Sequence, residues 1–503
     1  MTRAENVAIF CGEGFYAKAP PFHPSDAFPE YAFDQAIAPE PNPAYGAVRG
    51  AMQLLGLDAA NFGSPCWNPL GVIVRPGNTV VLKPNFIRDF HDTRGDDIES
   101  VITHGSVIRA VLDYVAIALR GDGRVVIADA PQSDACFERI KAFAGLDAIQ
   151  AFYRKHSSIQ LDVIDLRPEC AEKVDGVIVG HRPLPGDPAG YTVVNLGRHS
   201  EFMSINRMNG RLYGSEYDRR EVAAHHHDDV HEYLISRTVL DADVFINLPK
   251  MKTHKKVGVT LNLKNLVGIN GNKNWLPHHR EGVPANGGDQ FASSGLSQRL
   301  EHLLLAKFKK HFPKLGPIRN YVGGPAKKLG RAVFGDTNTT RIRSGNWYGN
   351  DTTWRMVLDL NRALRYADGS GVLHDTPRRR YFSFVDAIIA GEGNGPLDPT
   401  AKPAGVVLAG ANPVAVDLAC ARLMSFDYRR LPVLCHALID HSLPLAPFVY
   451  EDVGARSNDD RFSRRLVEFR GSLLVFKPHF GWQGHVELDA MSPSQEERAP
   501  CVA

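Results

Sequence analysis

The chain has 503 residues and a mass of 55.4 kDa, which leaves room for roughly two to four domains of ordinary size. Apolar residues make up 44% and charged residues 23%, a balance that builds a large core and excludes a disordered chain. Lys and Arg total 58 against 56 for Asp and Glu, a formal charge of +2, whereas dedicated nucleic-acid binders carry a clear basic excess.

In chain order, Val7 to Cys11 is the first predicted strand, followed by a long loop rich in Pro, Phe and Ala up to about Pro43. AYGAVRGAMQLLGL then repeats apolar residues at helical spacing. NTVVLKPNF is a short aliphatic run introduced by the turn Pro76-Gly77, and HGSVIRAVLDYVAIAL is a helix with a continuous apolar stripe. After Gly121-Asp122-Gly123 comes the strand RVVIADAP, completing a strand–helix–strand unit of a parallel sheet. Further strands are predicted at LDVIDL, TVVNL, DVFINLPK, FSFVDAII and AGVVLAG, the last feeding the helix PVAVDLACARLM. The alternation predicts an α/β fold: a mostly parallel, doubly wound sheet with helices on both faces, plus a basic helical insertion. The core is expected over residues 1–295 and 372–450, the insertion over 296–371, and a partly flexible extension over 451–503. In the insertion, LEHLLLAKFKKHF puts Leu303, Leu304, Phe308 and Phe312 near one side of a helix and lysines on the other. That pattern fits a solvated surface or a peripheral contact with membrane or protein.

The seven cysteines are scattered without a CxxC pair, so no iron–sulfur cluster is expected, and the dispersal fits a reducing compartment. The N-terminus shows no signal-peptide pattern, and nothing approaches the roughly 18 uninterrupted apolar residues of a membrane span. A cytoplasmic protein is expected.

The densest chemistry lies from Ile246 to Gly282, INLPKMKTHKKVGVTLNLKNLVGINGNKNWLPHHREG, starting at the carboxyl end of a strand. Open parallel sheets place ligands at that edge. Lys250, Lys252, His254, Asn262, Lys264 and Asn265 combine cationic donors with carboxamides, which suits phosphate or carboxylate. Interleaved apolar residues imply that several of these polar heads lie near a buried surface, where unpaired charge is costly. A second group, Lys83 and Asn85 with His91, Asp92, Asp96, Asp97, His104 and Asp129, follows neighbouring strands, and His91, Asp92, Asp96 and Asp97 either place imidazole and carboxylates on a divalent cation or form an exposed acidic loop. His227 and His231 would share one face of a helix as two metal ligands, although a histidine run followed by acids is also an ordinary solvated surface. Near Arg343 to Leu364, Asn350 and Asp351 are candidate helix caps beside Trp347, Tyr348 and Trp354. DAIIAGEGNGP makes a tight turn exposing Glu392 and Asn394, and Asp417, inside an apolar helix, calls for a cationic partner.

Taken together, VVLKPNF, RVVIADAP, the Ile246 to Lys273 block, DAIIAGEGNGPL and AGVVLAGANPVAVDLACARLMSFD resemble the domain-of-unknown-function family 362 over about Val80 to Asp427. The resemblance implies an α/β domain and nominates Lys83, Asn85, Lys250, Lys252, His254, Asn262, Lys264, Asn265, Glu392, Asn394 and Asp417 as site residues without roles. Many relatives carry a ferredoxin-like iron–sulfur module with clustered cysteines. This chain departs from that pattern, so electron transfer is not carried over. The longer members with WLPHHREG and GNWYGNDTTWR are often associated with surface-polysaccharide gene sets.

The expectation is an enzyme that binds a small anionic or sugar-linked substrate at the sheet's carboxyl edge, with a divalent metal ion of unassigned identity as its optional cofactor. His254 is the acid–base candidate, because an imidazole titrates near neutrality, and Glu392 is a second proton-transfer group or metal ligand. The alternative is a non-catalytic anion-binding or scaffold protein in a surface-polysaccharide pathway. If one site exists, Asn85, Lys252 or Lys264, and Glu392 should line one pocket.

Overall fold

Strands that read as unbroken apolar runs are buried on both faces. Thr79–Pro84 sends Val81 into one hydrophobic cluster and Val80 and Leu82 into the other. Arg124–Asp129 divides Val126 and Ala128 from Val125 and Ile127 in the same way, as alternation along a doubly covered strand requires. Helices Pro43–Leu54, Gly105–Leu119 and Leu146–His156 pack on one face, and Thr353–Tyr366 and Pro413–Leu423 on the other. The computed structural model describes residues 4–33, 36–174, 177–208, 210–216, 219–293, 341–470 and 473–488.

The central sheet has ten strands. Its main path runs Gly454–Ser457, Asn6–Cys11, Asp398–Gly410, Arg380–Asn394, Val244–Leu248, Thr79–Pro84, Arg124–Asp129 and Gln160–Asp165. From Arg380–Asn394 to Gln160–Asp165 every pairing is parallel, the expected doubly wound α/β arrangement. The other flank departs from it: Arg380–Asn394 and Asp398–Gly410 form a long antiparallel hairpin, and Asn6–Cys11 adds antiparallel to its second arm. Only Gly395, Pro396 and Leu397 separate the two arms, whereas a parallel crossover needs a dozen or more residues. Glu392 and Asn394 therefore sit within a paired strand, opposite Thr400 and Asp398, and not at a turn tip. The predicted strand TVVNL leaves the main sheet and joins a three-stranded one.

Residues 296–340 of the expected insertion lie outside the described residues. The remainder contributes Thr353–Tyr366, a core helix with Trp354, Met356, Val357 and Leu360 buried. Asn350 caps it as expected, its Oδ1 accepting from the Thr353 backbone N–H at 2.8 Å. Asp351 instead takes Arg280 and Arg355. In the expected extension, Gly454–Ser457 is a parallel edge strand and Trp482 is buried, while 489–503 lies outside the described residues. No helix among the described residues is long and apolar enough to cross a membrane.

Among the described residues Asp417 has no cationic partner. Its two oxygens accept from the backbone N–H groups of Asn262 and Leu263, both at 2.9 Å, and from Asn262 Nδ2. It thus caps the short helix Asn262–Asn265 from a distant helix. Burial pushes its carboxyl up to about 7. Asp417→Ala leaves these buried N–H groups unpaired, so a loss of roughly 2–4 kcal/mol is expected, read as a lower urea midpoint at unchanged slope.

Candidate functional site

Three adjacent parallel strands end together, and the residues that follow them meet in one cavity of about 250 Å³. Asn85 follows Thr79–Pro84, Asp129 ends Arg124–Asp129, and the chain after Val244–Leu248 supplies most of the rest. Pro249 interrupts that last strand. The chain resumes as Lys250–His254 alongside Arg380–Asn394, turns back at Gly258 and pairs with itself through Gly258–Thr260. Gly258 has φ +82°, where a β-carbon is strained. This excursion delivers His254, Lys256, Thr260, Lys264, Lys273 and His278 to the cavity wall.

Most of the buried cations are committed. Lys83 Nζ lies 2.7 Å from Asp129 Oδ1, and Asp129 Oδ2 accepts from the Phe86 N–H at 2.6 Å. Lys273 donates to the Ala130 carbonyl at 2.8 Å. Lys252 donates to Asn85 Oδ1 at 2.8 Å and to the Val101 carbonyl. Asn85 in turn donates to Asn265 Oδ1 at 2.8 Å, and Asn265 donates to Asn247 Oδ1 at 2.7 Å. Asn247 and Tyr381 carry the chain of bonds on to Asn262 and Asp417. Asn85, Asn265, Asn247 and Asn262 therefore form a buried polar spine beneath the cavity.

Lys264 is the exception. Its ammonium has no hydrogen bond or ion pair among the described residues, although the side chain is buried and lines the cavity. Desolvation, with Lys273, Lys256 and Lys83 nearby, pushes it down to about 7. Lys273, with Asp129 partly offsetting its burial, falls to about 8. The Thr260 hydroxyl is likewise buried without a partner.

The two cavity histidines differ in kind. His254 Nδ1 accepts from the backbone N–H of Lys256 at 3.0 Å and of Val257 at 3.3 Å. Its proton therefore sits on Nε2. His278 Nδ1 faces the Leu276 carbonyl at 2.7 Å and must donate to it, so its Nε2 carries a lone pair. Burial first, and then the surrounding lysines, holds both rings well below the usual imidazole range. The expectation that His254 titrates near neutrality is corrected: in this positive pocket it is a neutral donor, and Lys264 is the group poised near 7.

Of the expected site residues, Asn85, His254, Lys264 and Asn265 line the cavity. Lys83 and Lys252 contact its wall through Asp129 and Asn85. Lys250 lies elsewhere, its ammonium held by Asp386 and Tyr16 at 2.7 Å each. Asn262 and Asp417 belong to the spine. Glu392 turns to Lys402 at 3.0 Å and the Lys477 N–H at 3.1 Å, and neither it nor Asn394 lines the cavity. The single-pocket expectation thus holds for Asn85 and Lys264 and fails for Glu392. Lys256, Lys273 and His278 belong to the basic block, and neighbouring positions alone did not separate them from the rest of it.

His227 and His231 are not paired ligands on a helix. They flank a hairpin between His226–His227 and Val230–Ser236, where His231 pairs with His226. The turn residues Asp228-Asp229 break the helical register. His227 is partly exposed beside Asp228 at 3.3 Å, and His231 stacks on Phe202 at 5.7 Å. His91, expected near metal-binding acids, bonds the Pro399 carbonyl, while Asp92 and Asp96 pair with Arg88 and Arg139. His104 caps its helix by accepting from the Ser106 N–H at 3.2 Å. Among the described residues, the cluster able to hold a metal is Glu169, His181 and Glu216, with ligand atoms within 4.8 Å of one another.

An α/β sheet with a lysine- and histidine-walled cavity at its carboxyl edge is the class of protein that fold and site define. The chain belongs to the family described as Domain of unknown function (DUF362), whose profile matches residues 169–422. No curated protein matches. Among solved structures, a protein from Thermotoga maritima is similar at 10% identity and a TM-score of 0.27, covering 69% of this chain. This chain spans about half of that one, 54%.

Gly268 fixes the cavity floor. A β-carbon there would fall 1.9 Å from Asp129 Oδ1 and 2.6 Å from Lys83 Nζ. Gly268→Ala should break that pair and cost roughly 2–4 kcal/mol, measured by denaturant unfolding. Wild-type stability in that variant contradicts the close approach.

Proposed function

We propose that the cavity binds a small phosphate- or carboxylate-bearing molecule and that the protein is a cytoplasmic enzyme acting on it. The observation that carries this reading is that the Lys264 ammonium and the Thr260 hydroxyl, neither with a partner among the described residues, line one concave, cation-walled space. Buried charge and buried hydroxyl are costly without partners, and an anionic oxygen satisfies both. A cavity of about 250 Å³ lies below the roughly 300–1,000 Å³ of drug-sized sites, which favours a small ligand or a charged group of a larger one. Concavity favours ligand binding over a scaffold that displays a flat basic surface. Lys264 is then both the anion anchor and the proton-transfer group, with His254 donating a hydrogen bond. A divalent cation, if the reaction uses one, would be held by Glu169, His181 and Glu216, beside the cavity-lining Ser215.

The pH dependence has a defined sign. Lys264 is protonated below about 7 in the empty cavity, and an anion favours the ammonium form. Affinity should therefore fall as pH rises above neutrality, and binding there should take up a proton. Inorganic phosphate gains charge over the same range, so a fall reports the protein and not the ligand. Calorimetric titration with phosphate in two buffers of different ionisation enthalpy reads the uptake. Lys264→Met should weaken phosphate by roughly tenfold to a hundredfold, about 1.5–3 kcal/mol, and reduce the uptake to the share of Lys273, which stands at about 8. Unchanged affinity in that variant overturns the reading.

A further inference from the structure

Resting on the anion site just proposed, we infer that His254 and His278 select an anion that carries its own hydrogen-bond donor, an O–H adjacent to its charged oxygens. The inference comes from the two imidazoles' opposite hydrogen-bond roles. Each ring is fixed by its Nδ1: backbone N–H groups donate into His254, and the Leu276 carbonyl accepts from His278. One carbonyl oxygen can only accept and one amide N–H can only donate, so the two rings cannot exchange roles without losing these bonds. Both Nε2 atoms are without a hydrogen-bond partner among the described residues, and both rings line the cavity with Lys264. His254 Nε2–H therefore meets an acceptor, as the ammonium of Lys264 and the hydroxyl of Thr260 can. His278 Nε2 instead offers a lone pair, as does the side-chain oxygen of Gln132 on the same wall.

A ligand built only of acceptor oxygens turns one of them against that lone pair, which costs the missing bond and adds repulsion. A ligand with an O–H sets a donor against that lone pair while its other oxygens accept from Lys264, Thr260 and His254. The class includes hydrogen phosphate, a singly protonated phosphomonoester and a hydroxy acid whose hydroxyl neighbours its carboxylate. Among the described residues Asp129 is the one carboxylate on the wall, and its oxygens are engaged by Lys83 and the Phe86 N–H. His278 is thus a specificity-determining residue of the site, and its lone pair is the acceptor for the ligand's hydroxyl proton.

Sulfate and inorganic phosphate separate the two requirements. They match in size and geometry, but at neutral pH both forms of phosphate keep a P–OH and sulfate has none. Sulfate carries the larger mean negative charge, so electrostatics alone favours sulfate. Isothermal titration of the full chain at neutral pH should show phosphate bound at least about tenfold more tightly than sulfate, the worth of one charge-assisted hydrogen bond. In His278→Gln the side-chain amide can turn an N–H toward the ligand, so the phosphate-to-sulfate ratio should collapse toward unity or invert. Equal binding of both anions by the wild-type protein overturns the selectivity and leaves the anion site standing. Failure of phosphate to bind overturns both. Should His278→Gln not fold, the wild-type ratio still decides the matter.

Discussion

The organisation of this protein follows from burying many ammonium groups at one edge of a sheet. In a desolvated environment each lysine must find a carboxylate, surrender its proton to a lower pKa, or be held by oriented carbonyl and carboxamide oxygens. Lys83 and Lys250 take the first course, with Asp129 and Asp386. Lys252 and Lys273 rely on neutral oxygens, from Asn85 and Val101 for one and from Ala130 for the other. That solution explains the asparagine content of the central block. Asn85, Asn265, Asn247 and Asn262 transmit each bond to the next, and Asp417 anchors the far end on the N-terminus of a single-turn helix. The spine holds the loop geometry that leaves Lys264 facing open space.

The secondary structure was legible because its signals are local. Apolar runs bounded by Gly and Pro gave the parallel strands, and adjacency of their carboxyl ends follows from the topology of any such sheet. Asn85 and Lys264 were placed correctly in one cavity on that ground alone. The hairpin of Arg380–Asn394 with Asp398–Gly410 was the main departure. Its turn was seen, but Gly391, Glu392 and Gly393 read as part of that turn, whereas they continue the paired strand. The glycine-rich composition concealed a β-ladder.

Which lysine is spent was not legible, because partners come from far along the chain. Asp386 lies 136 positions from Lys250, and Tyr16 lies 234 positions from it. No periodicity links them. Asp417 illustrates the same limit from the acidic side: a buried carboxylate was rightly expected to need partners, yet backbone N–H groups met the need without a cation. His227 and His231 failed for a different reason. Helical spacing implies a shared face only if the chain is helical there, and Asp228 adopts a positive φ of 46° in the turn between them.

On the proposed anion-binding reading, the pocket's positive field would link binding to proton uptake. Burial first, and then the neighbouring lysines, suppresses protonation of Lys264 and of both histidines, so Lys264 stands near neutrality and the imidazoles remain neutral donor and acceptor. An anion reverses the sign of the nearest charge. Coulomb interaction at a few ångströms in a low-dielectric site is large compared with the same pair in water, so the arrival of an anion raises every one of these pKa values together. Lys264 then becomes a firm ammonium, and His278 becomes a stronger base toward a ligand hydroxyl than it was in the empty protein. The groups are thus tuned by the ligand's own charge, and an uncharged analogue of the same shape leaves them in their resting states. On that reading, charge on the ligand, more than its shape, would bring the site into its working protonation state.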